Sequence, residues 1–278
     1  MIGKLRILVL SHRLNIRILR AVHGIIPLIM VSMIPHKRSS SKIYHIHIQK
    51  TGGTSINDLM IDYFSSGSIT YKDLMKSKGK FFIYNNTRIV GYSKVAVNLG
   101  IYDYAFGHAP SHSLCLKKGV YTFTVLREPR ARIYSRYKHL KNDIERKDLN
   151  SFNVKEYDYI GYGFREYLMN LTPKEIALQL HMFSKNIDVI EGLDGISKVS
   201  KVMFTDTLEE EWTEMSSELD IKGKMRHMRK LVALESQSQI EKIFNDVAQS
   251  KPDFENYFIK ELEFYTNVRS IYGKSNNS

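Results

Sequence analysis

The sequence predicts an α/β fold with a mostly parallel central sheet flanked by helices. Short apolar runs rich in β-branched and aromatic residues recur at 43–48, 102–106, 121–126 and 201–205, each the length of a buried strand. They alternate with segments whose apolar residues fall at helical spacing, and that alternation argues a parallel sheet covered on both faces. With 278 residues there is room for one large domain of this kind and a terminal segment besides.

Taken in order, residues 1–41 stand apart. Lys4, Arg6, Arg13, Arg17 and Arg20 are interleaved with Leu, Ile and Val, and 21–35 is largely apolar. A spanning helix needs about 20 apolar residues, and this block is shorter and interrupted by His23, Gly24 and Pro27. It reads as a basic amphipathic segment on a membrane surface or a weak anchor, with a soluble helix packed on the domain as the plainer reading. Residues 42–278 read as the folded domain.

The strand at 43–48 runs into Lys50-Thr51-Gly52-Gly53-Thr54-Ser55 and then a helix carrying Ile56, Leu59, Met60 and Phe64. Residues 65–80 read as polar and turn-rich, and 81–97 as strand-like pieces around Ile89, Val90 and Val95. The strand at 102–106 ends in Gly107-His108-Ala109-Pro110. The strand at 121–126 ends in Arg127-Glu128-Pro129, and Pro129 suits the first turn of a helix through Tyr134 and Tyr137 toward Arg146. An aromatic stretch at 157–164 reads as a sugar-binding wall or as core. Residues 173–184 read as a helix, 201–205 as a strand, 209–211 as an acidic helix start near Trp212, and 236–264 as two helices parted near Pro252.

Composition narrows the partners. Lys plus Arg number 41 against 29 Asp plus Glu, a net charge of +12, which favours anionic ligands or surfaces. The single cysteine, Cys115, excludes an intrachain disulfide and a multi-cysteine zinc site, and reads as a small buried or partly buried hydrophobe. Asn85, Asn170 and Asn276 match the glycosylation pattern, which recurs by chance. Location stays open between membrane-associated and cytoplasmic, with the Golgi lumen a third setting if the chain is eukaryotic.

Two motifs carry the chemistry. A Gly-Gly turn into a helix lets backbone amides and the helix dipole approach an anion, and Lys50, Thr54 and Ser55 add a cation and two hydroxyls. The plainer reading is a turn followed by a cap. Lys50 precedes the glycines, so the motif is not G-x-x-x-x-G-K-[ST] and lacks the usual magnesium machinery. The second motif is Arg127-Glu128-Pro129-Arg130-Ala131-Arg132-Ile133-Tyr134-Ser135-Arg136-Tyr137-Lys138. Arg127 and Ser135 can face the crevice at the end of their strand, while Arg130, Arg132, Arg136 and Lys138 read for the most part as a solvated basic face. No H-E-x-x-H, Cys/His cluster or G-x-S-x-G is present.

Together, in this order, K-T-G-G-T-S and R-x-P-x-x-R-x-x-S-x-Y resemble the Golgi-type and bacterial carbohydrate sulfotransferases, including those of heparan-sulfate type. The resemblance is closest over 42–138 and departs at Gln49, where the family commonly has Pro. It implies a P-loop nucleotide-kinase-like sheet and the donor 3'-phosphoadenosine 5'-phosphosulfate (PAPS), with no metal required. Lys50, Thr51, Gly52, Gly53, Thr54 and Ser55 would cradle the 5'-phosphosulfate, and Arg127 with Ser135 the 3'-phosphate. Lys50 would also meet the leaving-group charge. His108 matches the catalytic base in position, with His112 as the alternative base or a substrate contact and a structural histidine as the plainer reading; His45 and His47 read as structural. The acceptor implied is a glycan or other hydroxyl compound, anionic acceptors included, and no nucleic acid. Two competing readings are a magnesium-dependent phosphoryl-transfer kinase and a non-enzymatic basic module for membranes or nucleic acid.

Overall fold

The computed structural model describes residues 42–77, 80–146, 159–221 and 236–273. The expectations for residues 1–41, for Tyr157 and for Asn276 lie outside them.

The chain is α/β. Strand β1 (Ile43–Ile46) leads into helix α1 (Gly53–Ser65) and α2 (Tyr71–Lys76); β2 (Phe81–Tyr84) and β3 (Thr87–Gly91) form a hairpin, and α3 (Lys94–Leu99) leads to β4 (Tyr104–Gly107). A 3₁₀ turn at Ser111–Ser113 precedes β5 (Tyr121–Leu126) and α4 (Pro129–Glu145). Then come α5 (Phe164–Asn170), α6 (Pro173–Ile176), α7 (Leu178–His181), α8 (Val189–Ser197), β6 (Lys201–Phe204), α9 (Leu208–Glu218), α10 (Gln237–Ser250) and α11 (Pro252–Tyr272).

The six strands pair in the order β2-β3-β4-β1-β5-β6, all parallel except the β2–β3 hairpin. That hairpin turns on Asn85 and Asn86 at φ 45° and 66°, the left-handed pair a two-residue turn needs and asparagine tolerates. Side chains alternate across the sheet. Tyr44, Ile46, Val90, Ala105, Leu126, Val202 and Phe204 join one core with Leu180, Phe183, Ile196 and Phe264. Ile43, Ile89, Tyr104, Phe106, Phe123, Val125 and Met203 join the other with Ile56, Met60, Trp212 and Met215. A third cluster, built on Tyr137, Phe164, Phe244 and Phe254, ties α4 and α5 to α10 and α11.

Several local expectations are corrected. Val95 lies in α3, whose Ser93 side chain accepts the Ala96 amide and whose end is set by Gly100 at φ 70°, so caps override strand propensity. Thr70 and Asp73 form a capping box that makes α2 within the stretch read as turns. The helix expected at 173–184 breaks at Ala177, because the Gln179 and Leu180 amides are taken by the Glu261 carboxylate. Helix α8 was not anticipated, although Asp188 caps it. Cys115 is exposed rather than buried. In the aromatic stretch Phe164 is core, whereas Tyr162 is 80% exposed.

What this topology does for a site is direct. β4 and β5 follow one another in sequence yet flank β1 on opposite sides, opening a crevice at the carboxyl ends of all three. His108, Lys50 and Arg127 each follow one of those ends.

Candidate functional site

The loop after β1 is held open by three devices. Thr51 is buried, and its hydroxyl donates to the Ile48 carbonyl at 3.0 Å, so its proton serves the loop itself. Gly52 caps α1 at φ 82°, a conformation that favours glycine. Gly53 is needed for a different reason: a Cβ there would lie 2.3 Å from the His47 ring. Among the described residues no side chain caps α1 and its first turn holds no acid; the Ser55 amide donates to the Gly52 carbonyl at 3.1 Å, which leaves the Gly53 and Thr54 amides and the dipole of a 13-residue helix for an anion. Thr54 is exposed and Ser55 half-buried at that turn.

Helix α4 begins differently. The Glu128 carboxylate accepts the Arg130 and Ala131 amides at 3.1 and 2.7 Å, so any anion there meets side chains. Arg127 is the chief one. Its Nη1 donates to the Lys50 carbonyl at 3.2 Å, joining the two motifs. Its backbone is gripped by Gln179, which accepts the Arg127 amide at 2.8 Å and donates to the Arg127 carbonyl at 2.9 Å. Gln179 in turn donates to Glu261, buried with Arg132 behind it.

The solvated-face expectation therefore fails for Arg132 and Lys138, which are 3% and 8% exposed; Arg132 donates to the Glu175 and Ile176 carbonyls. Ser135 is also buried on α4.

Burial pushes the Lys50 ammonium down to about 8, and Arg136, Arg127 and Lys138 push the same way against Asp143. A lysine pushed toward neutrality by burial first and by neighbouring cations second is a group that a bound anion would recharge. Binding one would raise that value again and so take up a proton. Affinity for 3'-phosphoadenosine 5'-phosphate is thus expected to be flat just below pH 8 and to fall by up to roughly tenfold per pH unit above it. Calorimetry at pH 8.5 in buffers of different protonation enthalpy would register the uptake; none would place Lys50 away from the anion.

His108 follows β4. Its Nδ1 donates to the His47 carbonyl at 2.6 Å, which leaves Nε2 with the lone pair when the ring is neutral. Burial holds its pKa below the usual histidine value, with Arg136 and Lys80 adding to that and the backbone bond opposing it. A neutral imidazole with one nitrogen anchored is ready to accept a proton. His112 is exposed and packs its ring 5.6 Å from His181.

His45 and His47 are buried, as expected of structural residues. Asn57 holds both, accepting from His45 Nδ1 at 2.6 Å and donating to His47 Nδ1 at 3.2 Å, while Tyr104 donates to the same Asn57 oxygen at 2.6 Å. Burial pulls His45 down to about 3 and holds His47 well below the ordinary range, so both remain neutral under the loop.

Asn57, Gln179, Glu261 and Tyr92, whose ring centre lies 4.8 Å from that of His108, were missed by the sequence reading. Asn57 had a signal, a polar residue on the apolar face of α1 beside Ile56 and Met60. The other three reach the site only through packing. Among the described residues no group of three or more His, Cys, Asp or Glu is placed to hold a metal, and no helix is long and apolar enough to cross a membrane. Neither the protein-family models nor the curated proteins give a match to this chain.

Proposed function

We propose that this chain is a sulfotransferase moving a sulfuryl group from PAPS to a hydroxyl of a carbohydrate acceptor, on a sheet organised as in P-loop nucleotide kinases. The observation that carries the reading is the convergence of Lys50 with Arg127, whose guanidinium donates to the Lys50 carbonyl, at the uncapped start of α1. That donor set fits a ligand with anionic groups at two places.

The nucleotide, when bound, supplies the group transferred: one sulfur–oxygen bond forms to the acceptor and the one to the phosphate breaks. The chain's own residues do the rest. The amides of Gly53 and Thr54, the Ser55 hydroxyl and the Lys50 ammonium would meet the 5' end, and Lys50 would offset charge on the departing phosphate. Arg127, with Ser135 on the same helix, meets the 3'-phosphate. His108 takes the acceptor proton at Nε2. The basic, apolar residues 1–41 suit attachment to an anionic membrane surface.

Calorimetric titration of the chain with 3'-phosphoadenosine 5'-phosphate in EDTA, beside ATP with magnesium, tests the reading. Metal-independent binding is expected, weakened roughly 10- to 100-fold in Arg127→Ala by loss of a charged donor. Binding of ATP with magnesium in its place would move the chain to the kinase reading, and binding of neither to a non-enzymatic module.

A further inference from the structure

We infer that the face formed by α3 and the loop 114–120 is a docking surface for an anionic membrane, a second contact beside residues 1–41 that sets how the domain stands on the bilayer. The inference does not depend on the transferase reading; it adds an orientation to the attachment suggested there for residues 1–41.

The face is apolar at its centre. Val95 and Leu99 lie one helical turn apart on α3 and are 51% and 56% exposed, while the same helix buries Ala96 and Val97 against the sheet. Leu114 and Leu116 of the adjoining loop are half-buried. The Asn98 side chain accepts the Cys115 amide at 2.9 Å and so holds that loop against α3. One exposed aliphatic residue is ordinary; a pair on one helix face, flanked by a leucine-bearing loop, is a patch.

Its rim is basic. A Cβ at Gly100, which ends α3, would lie 3.1 Å from the Lys117 Cγ and 3.4 Å from the Lys42 ammonium, so both lysines converge on the end of the helix. The Lys42 ammonium donates to the Gly100 carbonyl, and Lys117 and Lys118 are exposed. From Arg88 to Arg127 the only acid in the sequence is Asp103, which is buried and accepts the Arg88 amide at 2.7 Å. The exposed acids Glu209, Glu210, Glu214 and Glu218 belong to α9, which packs on the opposite face of the sheet through Trp212 and Met215. An anionic surface is therefore drawn to the α3 side and repelled from the α9 side.

The chain itself narrows the occupant. Residues 1–41 set Lys and Arg among apolar residues and join the domain at Lys42, within the rim. A basic segment is a poor cover for a basic rim, whereas a segment and a face of like composition, joined at one point, suit the same anionic bilayer. Each is a weak contact alone, and once the first is made the second forms at high effective concentration. Aliphatic carbon at the centre suits acyl chains better than nucleic-acid bases, which stack on aromatic rings.

Orientation follows from topology. Lys42, Leu99 and Lys118 precede the amino ends of β1, β4 and β5, whereas Lys50, His108 and Arg127 follow the carboxyl ends. A domain seated on this face holds the crevice away from the bilayer.

The single cysteine provides the test. Cys115 is exposed within the face, so an environment-sensitive nitrobenzoxadiazole fluorophore attached there in the full chain reports contact with lipid. Vesicles of phosphatidylcholine with phosphatidylserine are expected to shift its emission to the blue and, when they carry nitroxide lipid, to quench it; phosphatidylcholine alone is expected to do neither. The same fluorophore on α9, at Glu210→Cys in a Cys115→Ser background, is expected to stay in water. Lys117→Ala/Lys118→Ala is expected to weaken vesicle binding roughly 10- to 30-fold, about fivefold per lysine, and Val95→Asp/Leu99→Asp to abolish the shift at Cys115. The unsubstituted chain labelled at Cys115 decides even where a variant fails to fold. A fluorophore at Cys115 that stays in water while the chain sediments with vesicles overturns the inference, leaving residues 1–41 as the whole attachment. Emission already blue-shifted without vesicles, which would mean that residues 1–41 cover the face, overturns it too. So do an equal response at Glu210→Cys, an equal response to single-stranded DNA, and no vesicle binding at all. The nucleotide titration that tests the transferase reading bears on none of these outcomes.

Discussion

His108→Ala is expected to slow sulfuryl transfer by roughly 10²- to 10⁴-fold, the usual contribution of a positioned general base, while leaving nucleotide affinity within about twofold of the parent. The second half follows from position: His108 follows β4, whereas the loop and Arg127 follow β1 and β5. Release of 3'-phosphoadenosine 5'-phosphate from PAPS in the presence of a panel of sugar acceptors measures the rate. His108→Asn separates two roles. Its amide nitrogen can replace Nδ1–H toward the His47 carbonyl, but it has no counterpart of Nε2. A base role predicts that both variants are equally slow; recovery in His108→Asn would make the bond to His47 the residue's purpose. The parent's pH profile adds a sign. Because burial lowers the His108 pKa, the ring stays neutral through pH 7, and the rate is expected to fall only as pH drops below the usual histidine value near 6.5.

The contrast between what could and could not be read from sequence follows the range of the interactions. The strand Tyr121–Leu126 was legible to the residue because an apolar run meets Arg127-Glu128-Pro129, and Pro129 begins a helix. The loop after β1 was legible for the same reason, its glycines being a local demand. Val95 misled because β-branching outweighed the Ser93 and Gly100 signals that in fact bound a short helix. Arg132 was out of reach. On α4 alone its position reads as basic surface, and only the arrival of α11, with Glu261, turns it into interior. Arg127 could therefore be put forward as a candidate anion ligand from sequence, whereas the Gln179 clamp on its backbone could not, since the clamp's partners lie 52 and 82 residues away.

That hidden clamp yields the largest expected effect on stability. Glu261 is fully buried, and its carboxylate accepts the Gln179 amide at 3.1 Å, the Gln179 side chain at 3.2 Å and the Leu180 amide at 2.9 Å, with Arg132 at 3.8 Å. Removing one partner of a buried ion pair typically costs about 3–5 kcal/mol, so Glu261→Ala is expected to lower the unfolding free energy read from urea titration by that amount or to prevent folding. Simple charge pairing would let the double variant Arg132→Met/Glu261→Leu recover, because an apolar pair often replaces a buried ion pair without loss. Here recovery is expected to fail. Leucine supplies no acceptor for the two amides, and each orphaned donor costs about 1–3 kcal/mol. Arg132→Met alone leaves those bonds in place and strips the carboxylate, which burial already pushes toward protonation, of its cation; a protonated Glu261 still accepts from both amides, so this variant is expected to be the mildest of the three. Full recovery in the double variant would show that the carboxylate serves Arg132 only, and that the break at Ala177 has another cause. Where Arg132→Met folds, nucleotide affinity is the second reading. Gln179 still grips Arg127 in that variant, so a loss of affinity beyond about threefold would mean that Arg132 reaches the anion site by a route other than the clamp.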